Sequence, residues 1–204
     1  ISSTATTVSY ARRSRDVPEL SSLAAVVIMI ASTVVFGRVL AEVFLVAPGI
    51  VMDVFPPLCV MTLLMAVVSA TLLWFRDSPT DDVPLEDDPS ELKAAIIFGL
   101  LYAGVLYAVA VVKEHFDEEA LYVVAALSGL TDMDAITLST AQMINKGRLD
   151  VDTGWRMILV GSMSNLVFKA AAIGFLGSRQ LLLRIAIAFG ISFVGGLLLL
   201  FFWP

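Results

Sequence analysis

The sequence predicts an all-α protein: a polytopic bundle of transmembrane helices built from two parallel internal repeats, with broken or kinked motif helices. Three observations predict it. The 204 residues are 58% hydrophobic and only 16% charged, with a mean hydropathy of +0.89, whereas a soluble domain is about 45–50% apolar and about 25% charged. Apolar runs long enough to cross a bilayer recur along the chain, separated by proline, glycine or charged turns. A polar stretch, GLTDMDAITLS at 129–139, interrupts one of these runs, and the first residues echo it. Aligning Ile1 with Thr131 places Ala5 on Ala135, Thr7 on Thr137, Ser9 on Ser139 and Ala11 on Ala141.

The elements follow in order. Residues 1–11 are small and hydroxylated; Ser2, Ser3 or Thr4 caps a helix through Tyr10. The chain opens in mid-motif without Met, so it reads as a piece of a longer protein. Arg12-Arg13-Ser14-Arg15-Asp16 forms a basic turn at a membrane edge. Residues 19–46 make the first complete span, interrupted by Arg38 and Glu42 and stopped by Ala47-Pro48-Gly49. Pro56 and Pro57 start the second span, 56–75. Residues 77–91 carry seven acids, three prolines and no base, and read as a solvated loop with no core to bury. The third span is 92–112, followed by a polar connection around His115 that reads as solvated. Residues 120–145 hold the motif, 146–153 form a polar turn, and 154–177 and 181–203 are two further spans. Trp74, Trp155 and Trp203 fit interfacial anchors. Gly195-Gly196 reads as close helix packing, and the single cysteine, Cys59, as a small apolar residue.

The repeat extends past the motif. Ser32-Thr33-Val34-Val35-Phe36 matches Ser164-Asn165-Leu166-Val167-Phe168, and a cation follows in each copy, Arg38 or Lys169. The chain thus divides into a first, N-terminally truncated unit (1–76), an acidic cytoplasmic loop (77–91) and a second unit with a linking span (92–204). If every segment crosses once, the two units run parallel. The side holding the Arg12–Arg15 turn then also receives Arg76, Lys93, Lys146, Arg148 and Arg156, against Lys113, Arg179 and Arg184 opposite. Such a bias makes that side cytoplasmic, and the expected location is the cell inner (cytoplasmic) membrane, multi-pass.

The candidate site is the motif. A charge at the bilayer centre costs roughly 2.5–3.5 kcal/mol on insertion scales, so Asp132 and Asp134 need a partner, a proton or water. Counted along the helices, Lys169 reaches a similar depth to Asp132, while Arg38 has Glu42 one turn away. Two residues on a regular helix are about 200° apart, so both acids face one site only if the helix breaks. Gly129 allows a break, and Thr131-x-x-Asp134 resembles the start of a new helix. The substrate- or ion-binding residues expected are Thr131, Asp132, Asp134, Thr137, Asn165 and Lys169, with Ser3, Thr4, Thr7 and Arg38 from the first unit. The alternative is that the acids only cap a kinked helix and hold Lys169 in a structural ion pair, and that the small hydroxyl residues only pack helices.

The strings GLTDMDAITLS, SSTATTVSYARRSR and SNLVFKA resemble an uncharacterised membrane domain found C-terminal to the MgtC/SapB module, the domain of unknown function 4010 family. The resemblance spans nearly the whole chain. It implies an integral membrane domain, often attached to an N-terminal MgtC-like module, with no assigned reaction; the MgtC link suggests magnesium-limited growth or regulation of membrane energetics. No phosphate loop, GxSxG, HExxH or CxxC is present, so an enzyme is not expected, nor a cofactor or resident metal. Expected partners are the lipid bilayer, a small ion or solute, an MgtC-like module and a second copy of the chain, with no nucleic acid. The function expected is transport or channel-like permeation of a small ion or solute; the alternative is a non-transporting regulatory or assembly subunit.

Overall fold

The computed structural model describes residues 2–75, 121–131 and 133–204, and among these every regular element is helical. The order is α1 (Ser3–Asp16), α2 (Ser21–Val46), α3 (Val51–Trp74), α4 (Leu121–Thr131), α5 (Met133–Asn145), α6 (Val151–Leu176) and α7 (Arg179–Phe202). Single 3-10 turns at Pro18–Leu20 and Pro48–Ile50 lead into α2 and α3. The acidic loop, the third span and His115 lie outside the described residues, as does Asp132 between α4 and α5.

Among the described residues four segments are long and apolar enough to cross a membrane: Pro18–Val46, Pro48–Trp74, Val151–Leu176 and Arg179–Phe202. Their large side chains point both ways. Ile28, Met29, Leu58, Met61, Met65, Ile158, Leu159 and Ile185 form a common core, while Phe44, Leu63, Val67, Phe175 and Ile187 stay exposed. Apolar surface on both sides of a helix is what a lipid-facing bundle requires. The helix starts follow local chemistry. The hydroxyls of Ser2 and Ser178 accept from the Ala5 and Leu181 N–H groups, and the Asp150 carboxylate accepts from Thr153. Gly147, at φ 67°, closes the C-terminus of α5, where its N–H donates to Ile144 and that of Arg148 to Met143.

Two boundaries differ from expectation. α1 continues past Tyr10 to Asp16, so the basic cluster is helical rather than a turn. Its last turn carries Arg13 and Arg15, where a cation meets the negative end of the helix dipole. The second span begins at Val51, not at the prolines, which lie inside α3. Pro56 and Pro57 are the sixth and seventh residues of α3, in its second turn, so the Met52 and Asp53 carbonyls lack the i+4 N–H they would otherwise accept from.

The ends of the bundle also differ from expectation. Arg15 donates to the Phe175 carbonyl (3.3 Å), the Ser178 N–H donates to the Ser14 hydroxyl (3.1 Å), and the Ser21 and Ser178 hydroxyls share a bond (2.8 Å). The Arg12–Arg15 cluster therefore shares an end with Arg179 and Arg184, to which the crossing count had given the opposite side. At the other end Asn145 donates to the Val46 carbonyl and Arg156 to the Trp203 carbonyl, both at 3.5 Å. That end holds Lys146 and Arg148. The count had assumed one straight crossing over 120–145. A Cβ built on Gly161 would stand 3.3 Å from the Ala125 carbonyl oxygen and 3.2 Å from the Ile136 side chain. Those two residues would be about 16 Å apart on a straight helix, so α4 and α5 meet α6 at the same level rather than one beyond the other.

Close approach fixes the bundle at its glycines. The Cβ that Gly129 lacks would land on the backbone of Gly161, that of Gly195 on the Leu64 side chain of α3, and that of Gly196 on Met163 of α6. The absence of a side chain lets the backbones approach closely, the usual mode of helix association in lipid.

Candidate functional site

Arg38 sits on α2 eight residues before its end at Val46, about 12 Å in along the axis. Its guanidinium makes a short ion pair with Asp134 in the first turn of α5, and its Nε lies 3.5 Å from Glu42 one turn away. Asp134 is eleven residues from the end of α5, about 16 Å by the same count. The pair is thus well inside the apolar length of the bundle, yet both side chains stay partly open, at 46% and 41%.

Lys169 behaves differently. It is 1% exposed and donates to the Ser32 hydroxyl of α2 at 3.2 Å. Sequence depth had suggested the motif acids as its partner; Asp134 instead faces Arg38 because α2, not α6, presents a long cation to the start of α5. Ser32 was visible in the sequence only as part of a repeat match. The signal that could have found it as a partner is a buried hydroxyl on an otherwise apolar helix face. Ser32 lies fourteen residues from Val46, about 21 Å, so ordered by depth along α2 the polar string runs Glu42, then Arg38 with Asp134, and then, about 9 Å deeper, Ser32 with Lys169.

Asn165, one turn before Lys169, donates to the Gly129 carbonyl at 3.1 Å. The nearest approach of α4 to α6 is therefore also a polar contact. Thr137 is fully buried and its hydroxyl returns to its own helix, at the Met133 carbonyl (2.8 Å). Thr7 does the same on α1, to the Ser3 carbonyl (2.9 Å). Thr4 is half-buried on α1. Ser3 and Arg38 do come together: with Thr6, Ala31, Val34 and Val35 they line a cavity of about 190 Å³ between α1 and α2. Thr131 ends α4, and Asp132, the other motif acid, lies outside the described residues. Among the described residues no three His, Cys, Asp or Glu side chains gather as metal ligands would.

Asp134, Thr137 and the Asn165–Lys169 turn belong to the strings that singled out this chain in sequence. The profile of the family described as Domain of unknown function (DUF4010) matches residues 1–177. The chain belongs to that family. A relative described as an uncharacterized protein, from Aquifex aeolicus (strain VF5), is 32% identical over 189 residues, covering 88% of this chain and 79% of the relative. No solved structure matches. The DUF4010 match takes in α1 to α6 and with them each polar residue of the string.

Proposed function

We propose that this DUF4010 protein passes a small ion or solute across the cell inner (cytoplasmic) membrane, along the string Glu42–Arg38–Asp134–Ser32–Lys169. The observation that carries the reading is the Arg38–Asp134 pair: opposite charges about 12–16 Å from the C-terminal ends of their helices, Arg38 on a membrane-length helix and Asp134 on the shorter α5, each side chain more than 40% open. Ionised groups at such depth are found facing a bundle interior or a wet cavity, because lipid cannot solvate them. The neighbouring cavity, with Ser3, Thr6 and Arg38 on its wall, supplies room for water or a solute beside the pair.

In this reading α4 and α5 form a re-entrant hairpin whose tip carries the Thr131–Asp134 motif to mid-membrane. The shared contact of Ala125 and Ile136 with Gly161 supports it, and so does the bond from Asn165 to the Gly129 carbonyl. Irregular backbone at that depth is tolerated where it is buried in protein or lines a cavity. A repeat relation is supported by reciprocity: Arg38 of the first unit reaches Asp134 of the second, and Lys169 of the second reaches Ser32 of the first. Asp134, with Asp132 beside it in sequence, receives the cation or proton. Arg38 is the counter-charge that engages or releases Asp134, and Lys169 holds the inner end of the path.

The test is flux into proteoliposomes, read with a pH-sensitive dye and with rubidium and magnesium uptake. Asp134→Asn and Arg38→Gln are expected to abolish a flux that the parent shows, while leaving a folded, monodisperse protein. The second reading, a regulatory or assembly subunit of an MgtC-like system, is favoured by the enclosed Lys169–Ser32 contact, which is open to no cavity wall seen at Arg38. No flux in the parent, together with lowered melting in both variants, would decide for it.

A further inference from the structure

At the end of the bundle opposite Lys146, residues far apart in sequence assemble a collar of arginines. Arg12, Arg13 and Arg15 come from the last turns of α1, and Arg179 and Arg184 from the first turns of α7. One bond joins these two helix ends directly, Ser178 N–H to Ser14, and two more tie them to their neighbours, Ser178 to Ser21 of α2 and Arg15 to the Phe175 carbonyl of α6. A fourth, from Arg184 to the Ser22 hydroxyl at 3.2 Å, draws that side chain from within α7 toward the same end. Five guanidinium groups stand there against two carboxylates, Asp16 and Glu19, among the described residues. All five are arginines, whose planar fork binds phosphate oxygens two at a time, as lysine does not.

The surface directly inside the collar is apolar and open. Phe175 is 70% exposed, Leu183 58% and Ile187 66%, on the outer faces of α6 and α7. Arg15 bonds the carbonyl of Phe175 itself, and Arg179 lies one helical turn before Leu183. A cation row above an exposed apolar strip matches a molecule that is anionic at one end and hydrocarbon at the other. We propose that this collar binds the headgroup of an anionic phospholipid, its phosphate held by Arg15 and Arg179 and its acyl chains lying on Phe175, Leu183 and Ile187. Inorganic phosphate would satisfy the arginines but leave the strip uncovered. Basic sites at helix ends take anionic headgroups for these reasons, each nearby arginine strengthening binding by about fivefold.

The experiment uses the whole chain, delipidated in a neutral detergent, with lipid adducts counted by native mass spectrometry. Dioleoylphosphatidylglycerol is expected to bind more than about tenfold tighter than dioleoylphosphatidylcholine. Arg15→Gln with Arg179→Gln should remove most of that preference, while Lys146→Gln with Arg148→Gln, at the far end, should keep it. Arg15→Lys with Arg179→Lys preserves charge should the glutamine variant fail to fold, and should retain part of the preference. Competition by millimolar inorganic phosphate as strong as by the lipid would overturn the proposal by showing a plain anion site. So would equal binding of the two lipids by the parent protein. A preference that emerges only after the acids of residues 77–91 are changed to amides would also overturn it, since the collar would then belong to that segment.

Discussion

Gly129→Ala is the substitution whose cost the structure fixes best. A methyl there would meet the oxygen, carbonyl carbon and Cα of Gly161, all backbone atoms of α6 with no rotamer to move. Accommodating it means pushing α4 away from α6. Overpacking of this kind costs about 1–3 kcal/mol. The shift also lengthens the bond from Asn165 to the Gly129 carbonyl, worth about 1 kcal/mol when made in a buried place. Alanine's better helix propensity returns about 0.8–1 kcal/mol, leaving a net loss of roughly 1–3 kcal/mol. For a chain of this size the melting temperature should fall by roughly 2–12 °C. The assay is thermal unfolding in detergent, read by the fluorescence of the tryptophans, with Gly190→Ala as control. Gly190 has nothing within 4 Å of its missing Cβ, so the same change there should be neutral or stabilising. Equal melting of the two variants would refute the close approach of α4 to α6, and with it the level at which the motif sits.

The other predictions rest on single contacts. Gly196→Ala meets only the flexible side chain of Met163, so it should cost less than Gly129→Ala, under about 1.5 kcal/mol, in the same melting assay. Lys169→Met keeps the stem and removes a buried ammonium; the protein should melt at the same or a higher temperature, since buried charges are often replaced at no loss, while any flux the parent shows should drop. Asp150→Ala should destabilise by about 1 kcal/mol through loss of the α6 cap. The Thr153 backbone N–H holds the Asp150 carboxyl below its ordinary 3.8. The contribution of the cap is therefore full above pH 3.8 and lost as pH falls through the lower folded value, so the gap in melting between parent and variant should close only in strong acid.

Much of this fold could be read from the residues because lipid simplifies the code. A run such as 19–46 must be a helix, since no other structure satisfies its backbone in hydrocarbon, and the helix there is Ser21–Val46. The stops were legible where proline or glycine did the stopping, as at Ala47-Pro48-Gly49. They were not legible at Pro56-Pro57, where the same residue type lies inside a helix start. Partner choice was the least legible. Counting residues gives depth but not azimuth: it set Lys169 level with Asp132, which lies outside the described residues, and gave no sign that Arg38 is the cation that α2 turns toward Asp134 on α5. The shared end of Arg15 and Phe175 could not be counted either, because the count depends on every segment between them crossing once, which apolar length alone does not fix.

The polar string is more than the bundle needs in order to cohere. Cohesion is already supplied by the backbone contact of Gly129 with Gly161 and by the Leu64 and Met163 side chains seated against Gly195 and Gly196, the inexpensive way to join helices in lipid. Each charge carried to mid-bilayer costs roughly 2.5–3.5 kcal/mol before it finds a partner. A half-open pair such as Arg38–Asp134 recovers little of that, because partial exposure weakens the attraction. An apolar pair at the same place would hold α2 to α5 at least as well. The charges therefore make physical sense beside a cleft that admits water, and the cavity that Ser3 and Thr6 of α1 share with Arg38 is such a cleft.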